Sequence, residues 1–546
     1  MKLFETSWCE KFKYYERYYD TDLKKSTSNQ ISGNYEYFIP YSNGDFKLIT
    51  DQTVRLTKLE GGSKDARDNY GITTPIYRNI RDKYWDKGDY NLSPKVMYLD
   101  IETRAINTPD PGNAPEQITL IQMLDNKSNT EIVLGLRPWE PEPDYPLEYP
   151  VKYILCKDEF DLLEAFLKIF RAIDPVIVYA WNGEGFDFPY LYNRLKKLGL
   201  DPNKLSNYGN TKLDSEENYS THQTTFKLTT PGHHYLDMMV MYKKYVLKPM
   251  PSYSLDTISE AEVHCKKVDH SEFPTFDSFY TGEKYSIQET PFQDRIKEKI
   301  RQCYIKRKSL KENSKEYQEN EKELQKAINF QFVYYGIRDV VLLKKIDEKR
   351  NITKITVNIA KMMGVLYNDV LATVKPWAQY ISNVAHKEQI AMPQKTEPEA
   401  GESYEGAFVR DPVKGRHKWV MNFDVNSMYP QFSIAGFGMS PETLVPKAKL
   451  PPELRELILQ YFTDRKDQEI LDIPEEVYAK ITPLLKKHNL ALTANGTCYR
   501  KDLQGIIPRL TNEIYDGRKK DKKTMFKYEQ RSVDIQKILS ERLSEH

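Results

Sequence analysis

The sequence predicts an α/β layer fold in its middle and α+β domains on either side, and three observations carry that prediction. Short apolar or alternating runs, "VMYLDIET", "ITLIQML", "EIVLGL" and "DPVIVYAW", have the length and period of strands. "FDLLEAFLKIFRAI" (Phe160 to Ile173) repeats apolar residues at three- and four-residue steps, as an amphipathic helix does. Their order, three strands, helix, strand, helix, is that of a layered α/β domain.

Ahead of this block, residues 1–95 are polar and aromatic, with the strand-like "NYEYFIPY" and the turn signals "SNGD" and "LEGGS". Within the block, "PWEPEPDYPLEYP" reads as a proline-rich acidic loop. Residues 293–350 read as charged helices ending in "VYYGIRDVVLLKKIDEKR", and 354–390 as helical again. "YEGAFVRDP" and "KWVMNFDVNSMYP" then return to strand character, and about 45 final residues read as a basic helix.

At 546 residues the chain has room for three or four domains. Hydrophobic content of 39% and charged content of 29% suit a globular protein. Tyrosine is in excess, 39 against 22 Phe, which favours a wet surface that grips a ligand such as nucleic acid or carbohydrate. The net charge of +1 means that any basic surface is local. The five cysteines (Cys9, Cys156, Cys265, Cys303, Cys498) have no metal-ligand spacing and suit a reducing compartment. No 18-residue apolar run and no signal-peptide core occur, so the expectation is a soluble cytoplasmic protein without a membrane partner.

Strand alternation puts Asp100 and Glu102 on one face of "VMYLDIET", with Leu99 and Ile101 turned into a core. Two acids on one face repel each other and lose hydration, which a bound cation would offset; a solvated acidic edge is the other reading. In "WNGEGFDFPYL", Asp187 follows a strand and a glycine-rich turn, and either serves a site or caps the next helix. In "YYGIRDVVLLKKI", Tyr335 and Asp339 are four apart on one helical face, and Val340, Leu343 and Ile346 supply a core stripe.

Together these segments resemble the three exonuclease motifs of family B DNA polymerases, specifically the replicative polymerases of tailed phages. The resemblance extends to "YLDMMVMYKKYVLKPMPSYSLDTISE", "VKPWAQYISNVAHKEQIAMPQ", "YEGAF", "MNFDVNSMYPQFSIAGFGMSPET" and "ANGTCYRKDLQGIIPRLTNEIYDGRKKDKKTM". It implies an N-terminal domain at 1–95 completed by about 351–395. A ribonuclease-H-like 3′–5′ exonuclease domain follows at 96–350, then a partial palm at 396–500 and the start of the fingers at 501–546. It also implies that Asp100, Glu102, Asp187 and Asp339 ligate two magnesium or manganese ions. Tyr335 would orient the attacking water, and Asn182 would help hold the strand end.

In the same resemblance Asp424 holds the two polymerase metals, and the backbone of Val425, Asn426, Ser427 and Met428 cradles an incoming dNTP. Tyr429 acts as the steric gate, although a packed core aromatic is its plain alternative. Met428 stands where the family usually has Leu, a near-isosteric exchange. Arg518 and Lys522 grip the triphosphate, within a stretch, Arg500 to Lys527, that has nine basic and four acidic residues. Tyr404 and Gly406 of "YEGAF" contact the backbone of primer-template DNA.

After Arg518 about 28 residues remain, without a "DTDS"-type acidic pair or a Lys-Asn-Tyr-Gly helix. The expectation is the N-terminal portion of a polymerase, naturally split or truncated, with the split favoured. A second polypeptide would supply the other half and the route to a sliding clamp, in a host cytoplasm if the source is a phage. The apolar positions Met525, Tyr528, Val533, Ile535, Ile538 and Leu539 would then need that chain for cover. Two alternatives are a free-standing 3′–5′ exonuclease with a vestigial polymerase half and a non-catalytic scaffold that binds primer-template.

Overall fold

The computed structural model describes residues 1–48, 53–60, 70–88, 90–91, 93–107, 109–218, 223–246, 248–287, 290–312, 314–392, 410–463 and 473–544. It divides into two compact units, one built mainly from 1–35 and 74–379, the other mainly from 36–59 and 380–546.

The first unit opens with an antiparallel meander of β1 (Lys2–Glu10), β2 (Lys13–Asp20) and β3 (Lys25–Ile31). The chain then gives four strands to the second unit, β4 (Asn34–Pro40), β5 (Phe46–Leu48), β6 (Thr53–Glu60) and β7 (Tyr70–Thr73), before returning as α1 (Pro75–Lys83). The central layer follows: β8 (Val96–Thr103), β9 (Ile118–Asp125), β10 (Glu131–Gly135), β11 (Val151–Leu155), α2 (Glu159–Ile173), β12 (Ile177–Ala180), α3 (Asp187–Lys197), the hairpin of β13 (Lys212–Asn218) and β14 (Gln223–Thr229), and β15 (His234–Asp237). Six of these strands form one sheet in the order β11-β10-β9-β8-β12-β15, with β8 antiparallel to β9 and parallel to β12.

The α/β reading of residues 96–200 thus matches the sheet, and β11 is the strand it missed. That strand lies at the sheet edge, with Lys152 and Leu155 exposed and the other three residues only half-buried, so it has no apolar alternation to read. Helix α2 is set by its ends. Asp158 caps it by accepting from the Asp161 amide at 3.0 Å, and Asp174 closes it in the left-handed region at φ 52°. Its apolar stripe, Leu162, Leu163, Phe166, Leu167 and Phe170, packs on Met97, Leu99 and Ile101 of β8. Beneath this layer Arg194 of α3 forms a bidentate pair with Glu159 of α2, Nε at 2.7 Å and Nη2 at 2.6 Å.

The opposite face of the sheet is covered by helices: α4 (Met238–Tyr245), α5 (Leu255–Val263), α6 (Phe276–Thr281), α7 (Arg295–Ser309), the 36-residue α8 (Lys315–Arg350), and α9 (Ile352–Met363). Here Leu120 and Val133 of the sheet meet Phe279, Ile300, Phe330, Phe332 and Val333. Where α8 crosses β9, Gly336 takes the contact. A Cβ there would fall 1.7 Å from the Gln122 amide and 2.8 Å from Leu120, so only glycine permits this approach.

α10 (Lys375–Lys387) leads to the second unit. That unit adds β16 (Ile390–Ala391) to β5, giving a sheet of order β16-β5-β6-β4-β7. It continues with α11 (Met428–Gln431), β17 (Leu444–Val445), α12 (Pro452–Tyr461), α13 (Glu475–Lys487), β18 (Leu490–Leu492), β19 (Cys498–Arg500) and the 39-residue α14 (Ile506–Ser544). A small core of Leu450, Leu454, Ile458, Phe462, Val477 and Ile481 joins α12 to α13.

The strand expected at "KWVMNFD" is absent. Residues 417–425 have no regular structure, and Trp419 and Phe423 are 96% and 85% exposed. An apolar run becomes a strand only where another strand takes its N–H and C=O groups, and no described segment pairs with this one. The strand expected at "YEGAFVRDP" lies mostly outside the described residues, as do Tyr404 and Gly406. None of the five cysteines forms a disulfide. Among the described residues no helix is long and apolar enough to cross a membrane.

Candidate metal-binding active site

Strand β8 and helix α8 create an acidic cluster. Asp100 and Glu102 leave β8 on the side opposite Leu99 and Ile101, and Asp339 comes down onto them from α8. One oxygen from each of Asp100, Glu102 and Asp339 lies within 4.8 Å of the others. Asp100 Oδ2 and Asp339 Oδ1 are buried without a hydrogen-bond partner. Carboxylates so placed lose hydration and repel one another. Burial first, then the neighbouring acids, pushes the Asp100 and Glu102 carboxyls well above their ordinary range. Burial also raises Asp339, against the pull of Lys267.

Asp187 adjoins this trio without joining it at the same spacing. It is the first residue of α3, so it does not cap that helix from outside. Its Oδ1 accepts from the Ile101 amide at 3.2 Å, between the two β8 acids. It is 3% exposed, and burial raises its pKa to about 8 against the lowering effect of its backbone hydrogen bonds. Asn182 stands in the preceding turn at φ 60°, exposed, with its carbonyl accepting from Gly185 and Phe186.

Tyr335 lies one helical turn before Asp339, its ring wedged edge-on among His270, Phe276 and Phe279. Its hydroxyl accepts from the Lys267 ammonium at 2.8 Å, and the same ammonium pairs with Asp339 Oδ2 at 2.5 Å. Lys267 is the residue at this cluster that the sequence pattern does not single out. It sits in a loop, "HCKKVDH", with no period to single it out from Lys266, which faces solvent and pairs with Glu260. Its place comes from the fold: its own amide donates to Asp256 Oδ1 at 2.9 Å, just past the left-handed C-cap His264 of α5. Within the cluster this ammonium is the one positive charge at ion-pair distance from Asp339 among the described residues.

Comparison with known sequences bears on what such a cluster serves. Residues 71–258 match the exonuclease domain of DNA polymerase family B, and residues 378–542 match DNA polymerase family B itself. The chain belongs to the family B DNA polymerases. It is 25% identical over 470 residues to the DNA-directed DNA polymerase of Escherichia phage RB69, covering 82% of this chain and 44% of that protein. It is 24% identical to the Enterobacteria phage T4 enzyme, with coverage of 82% and 44%, and 22% identical to DNA polymerase 1 of Pyrococcus abyssi, with coverage of 82% and 45%. The chain therefore spans less than half the length of these relatives.

In this family B chain the residues expected at the polymerase site are spread along an open surface. Asp424 and Val425 are exposed in the irregular stretch, and Asp424 belongs to no cluster of three candidate ligands among the described residues. Ser427 takes φ 53°, Met428 and Tyr429 begin α11, and Tyr429 is 76% exposed, so it is no packed core aromatic. Asn426 donates from its side-chain amide to the Tyr515 hydroxyl at 3.2 Å, which docks this turn on α14 one turn before Arg518. Arg518 and Lys522 follow on the exposed part of that helix at one-turn spacing.

Proposed function

We propose that this chain removes nucleotides from 3′ ends of DNA by metal-assisted phosphodiester hydrolysis, on a ribonuclease-H-like layer. The observation that supports it is the convergence of Asp100, Glu102 and Asp339, from elements more than 200 residues apart, to within 4.8 Å. The donor set fits the group the family uses. Hard carboxylate oxygens, two of them buried and unpartnered, suit magnesium or manganese. Asp100, Glu102, Asp187 and Asp339 would hold the ions. When bound, the ions polarise the phosphate and make a nearby water more acidic.

The remaining work falls to the chain's own groups. Lys267 donates to the Tyr335 hydroxyl oxygen, which leaves the phenolic O–H free to hold the attacking water in line. The Lys267 ammonium also offers charge to the scissile phosphate. Asn182, exposed beside Asp187, reaches toward the terminal nucleotide. The test is a 5′-labelled single strand incubated with this chain. Stepwise shortening with magnesium or manganese and none in excess EDTA is the expected result. Shortening that persists in EDTA, or internal cuts alone, would overturn the reading.

We further infer a nucleotidyl-transfer role for the 378–542 region, favoured by its family match. Asp424 would hold metal, the Val425–Met428 amides and Arg518 and Lys522 would hold a dNTP, and Tyr429 would exclude a 2′ hydroxyl. Asp424, exposed and in no cluster of candidate ligands among the described residues, needs further carboxylates, which in this reading come from a second polypeptide. Primer extension is expected on mixing with that polypeptide and is expected to be lost in Asp424→Ala. Extension by the Asp424→Ala chain would reject the assignment.

A further inference from the structure

Away from the acidic cluster, a cavity of about 600 Å³ opens between the β1–β3 meander and the far end of the central layer. Its charged lining residues are Arg17, Lys24, Lys25, Lys95 and Lys127 against Glu5 and Asp174. This is a strong local bias in a chain whose net charge is +1. Both carboxylates are already committed. Arg17 pairs with Glu5 at 2.9 Å and with Asp174 at 3.1 Å. Glu5 also accepts from Ser26 and Asn91, and Asp174 from Asn207 and Tyr208.

The lysines are not so matched. Lys127 donates to the Ser93 carbonyl and hydroxyl at 2.6 and 2.8 Å, and Lys95 to the Ile173 carbonyl at 2.8 Å, all neutral acceptors. Lys24, at φ 51° in the β2–β3 turn, and Lys25 are exposed at the rim. None of these four ammonium groups has a carboxylate partner among the described residues. Burial lowers the Lys127 pKa against the raising effect of the nearby Asp125 and Glu5 carboxylates, and Lys95 adds like charge. The cations arrive from β2, the β2–β3 turn and the first residue of β3, the lead into β8 and the β9–β10 turn, which is more than one solvated helix face.

A single phosphate would leave most of this volume empty, whereas it is the size of a small-ligand pocket. Tyr19 on the wall offers a ring for stacking, and Ser26, Asn91 and Ser93 offer hydrogen bonds. We propose that this cavity binds a nucleotide through its phosphate, either free or as one unit of a single strand. This goes beyond the hydrolytic site, because none of its lining residues belongs to the acidic cluster.

The experiment measures binding of a fluorescent dT12 strand to the full chain in EDTA, where hydrolysis does not intervene. Lys95→Ala/Lys127→Ala is compared with the parent across a salt series. Losing the one phosphate contact that Lys95 and Lys127 share should make the slope of log K against log salt shallower by about 0.7. Lys24→Ala/Lys25→Ala, at the exposed rim, gives the same readout without touching the interior. A strand carrying 5-bromodeoxyuridine, cross-linked and mapped by mass spectrometry, should mark Tyr19 or its neighbours. Competition by dTMP would assign the site to free nucleotide, and binding of dT12 alone would assign it to a strand segment; both support the proposal. Unchanged slopes in both variants, cross-links only elsewhere, or equal competition by inorganic phosphate and dTMP would overturn it.

Discussion

Asp100→Ala/Glu102→Ala is expected to lower magnesium-dependent shortening of a labelled strand by on the order of 10³-fold or more. Metal stabilisation of transition-state charge is worth several kcal/mol, and each 1.36 kcal/mol is about tenfold in rate. The same substitution should leave the fold intact, because it removes two carboxylates whose burial and mutual repulsion raise their own pKa values. Asp339 would remain, paired with Lys267. Thermal unfolding at an unchanged or higher temperature, together with lost hydrolysis, separates a ligand role from a structural one. Activity within about tenfold of the parent would reject the cluster as the hydrolytic centre.

Arg17→Met is expected to cost about 3–5 kcal/mol of stability, the usual penalty when one partner of a buried pair is removed. Arg17 and Glu5 are each 2% exposed at the side chain, and Arg17 also reaches Asp174 and its carbonyl, the latter at 2.8 Å. Losing the guanidinium leaves Glu5 charged and buried with only neutral donors. It also unties the meander from the C-terminal end of α2. Urea unfolding read by circular dichroism measures the loss. Adding Glu5→Gln to Arg17→Met should recover part of it, because the uncompensated charge goes with it. A loss below about 1 kcal/mol, or no recovery in the double variant, would mean that this pair does not hold the meander in place.

Both effects rest on features of unequal visibility in the sequence. Asp100 and Glu102 were legible because strand alternation alone fixes which face two residues share. Tyr335 and Asp339 were legible for the same reason with the helical period. The period misleads, however, on what else α8 buries. The stripe of Val340, Leu343 and Ile346 is there, but Phe330, Gln331, Phe332 and Val333 are all buried too, consecutive residues that point in every direction. A helix covered on all sides leaves no stripe to read. Asp187 was ambiguous because a helix cap and a site acid look alike until a third element arrives, here the Ile101 amide. Lys267 depends on an approach of α5 to α8 that no local pattern encodes. The run ending at Asp424 has strand composition, yet the ladder that would realise it has no second rail among the described residues.

Helix α8 joins two places that have different requirements. Leu324 to Val333 fill an apolar cluster with α7, while Tyr335 and Asp339 address the acids of β8, on one uninterrupted helix of 36 residues. Such a rod is about 54 Å long, and every residue added to it turns whatever follows by about 100°. Between these two stations, evolution can therefore change length only in near-heptad steps, which restore the azimuth to within about 20°. Single insertions would swing the tyrosine and the aspartate out of line together. Inherited length variation should accumulate in the connection ahead of Lys315, where no such phase is kept.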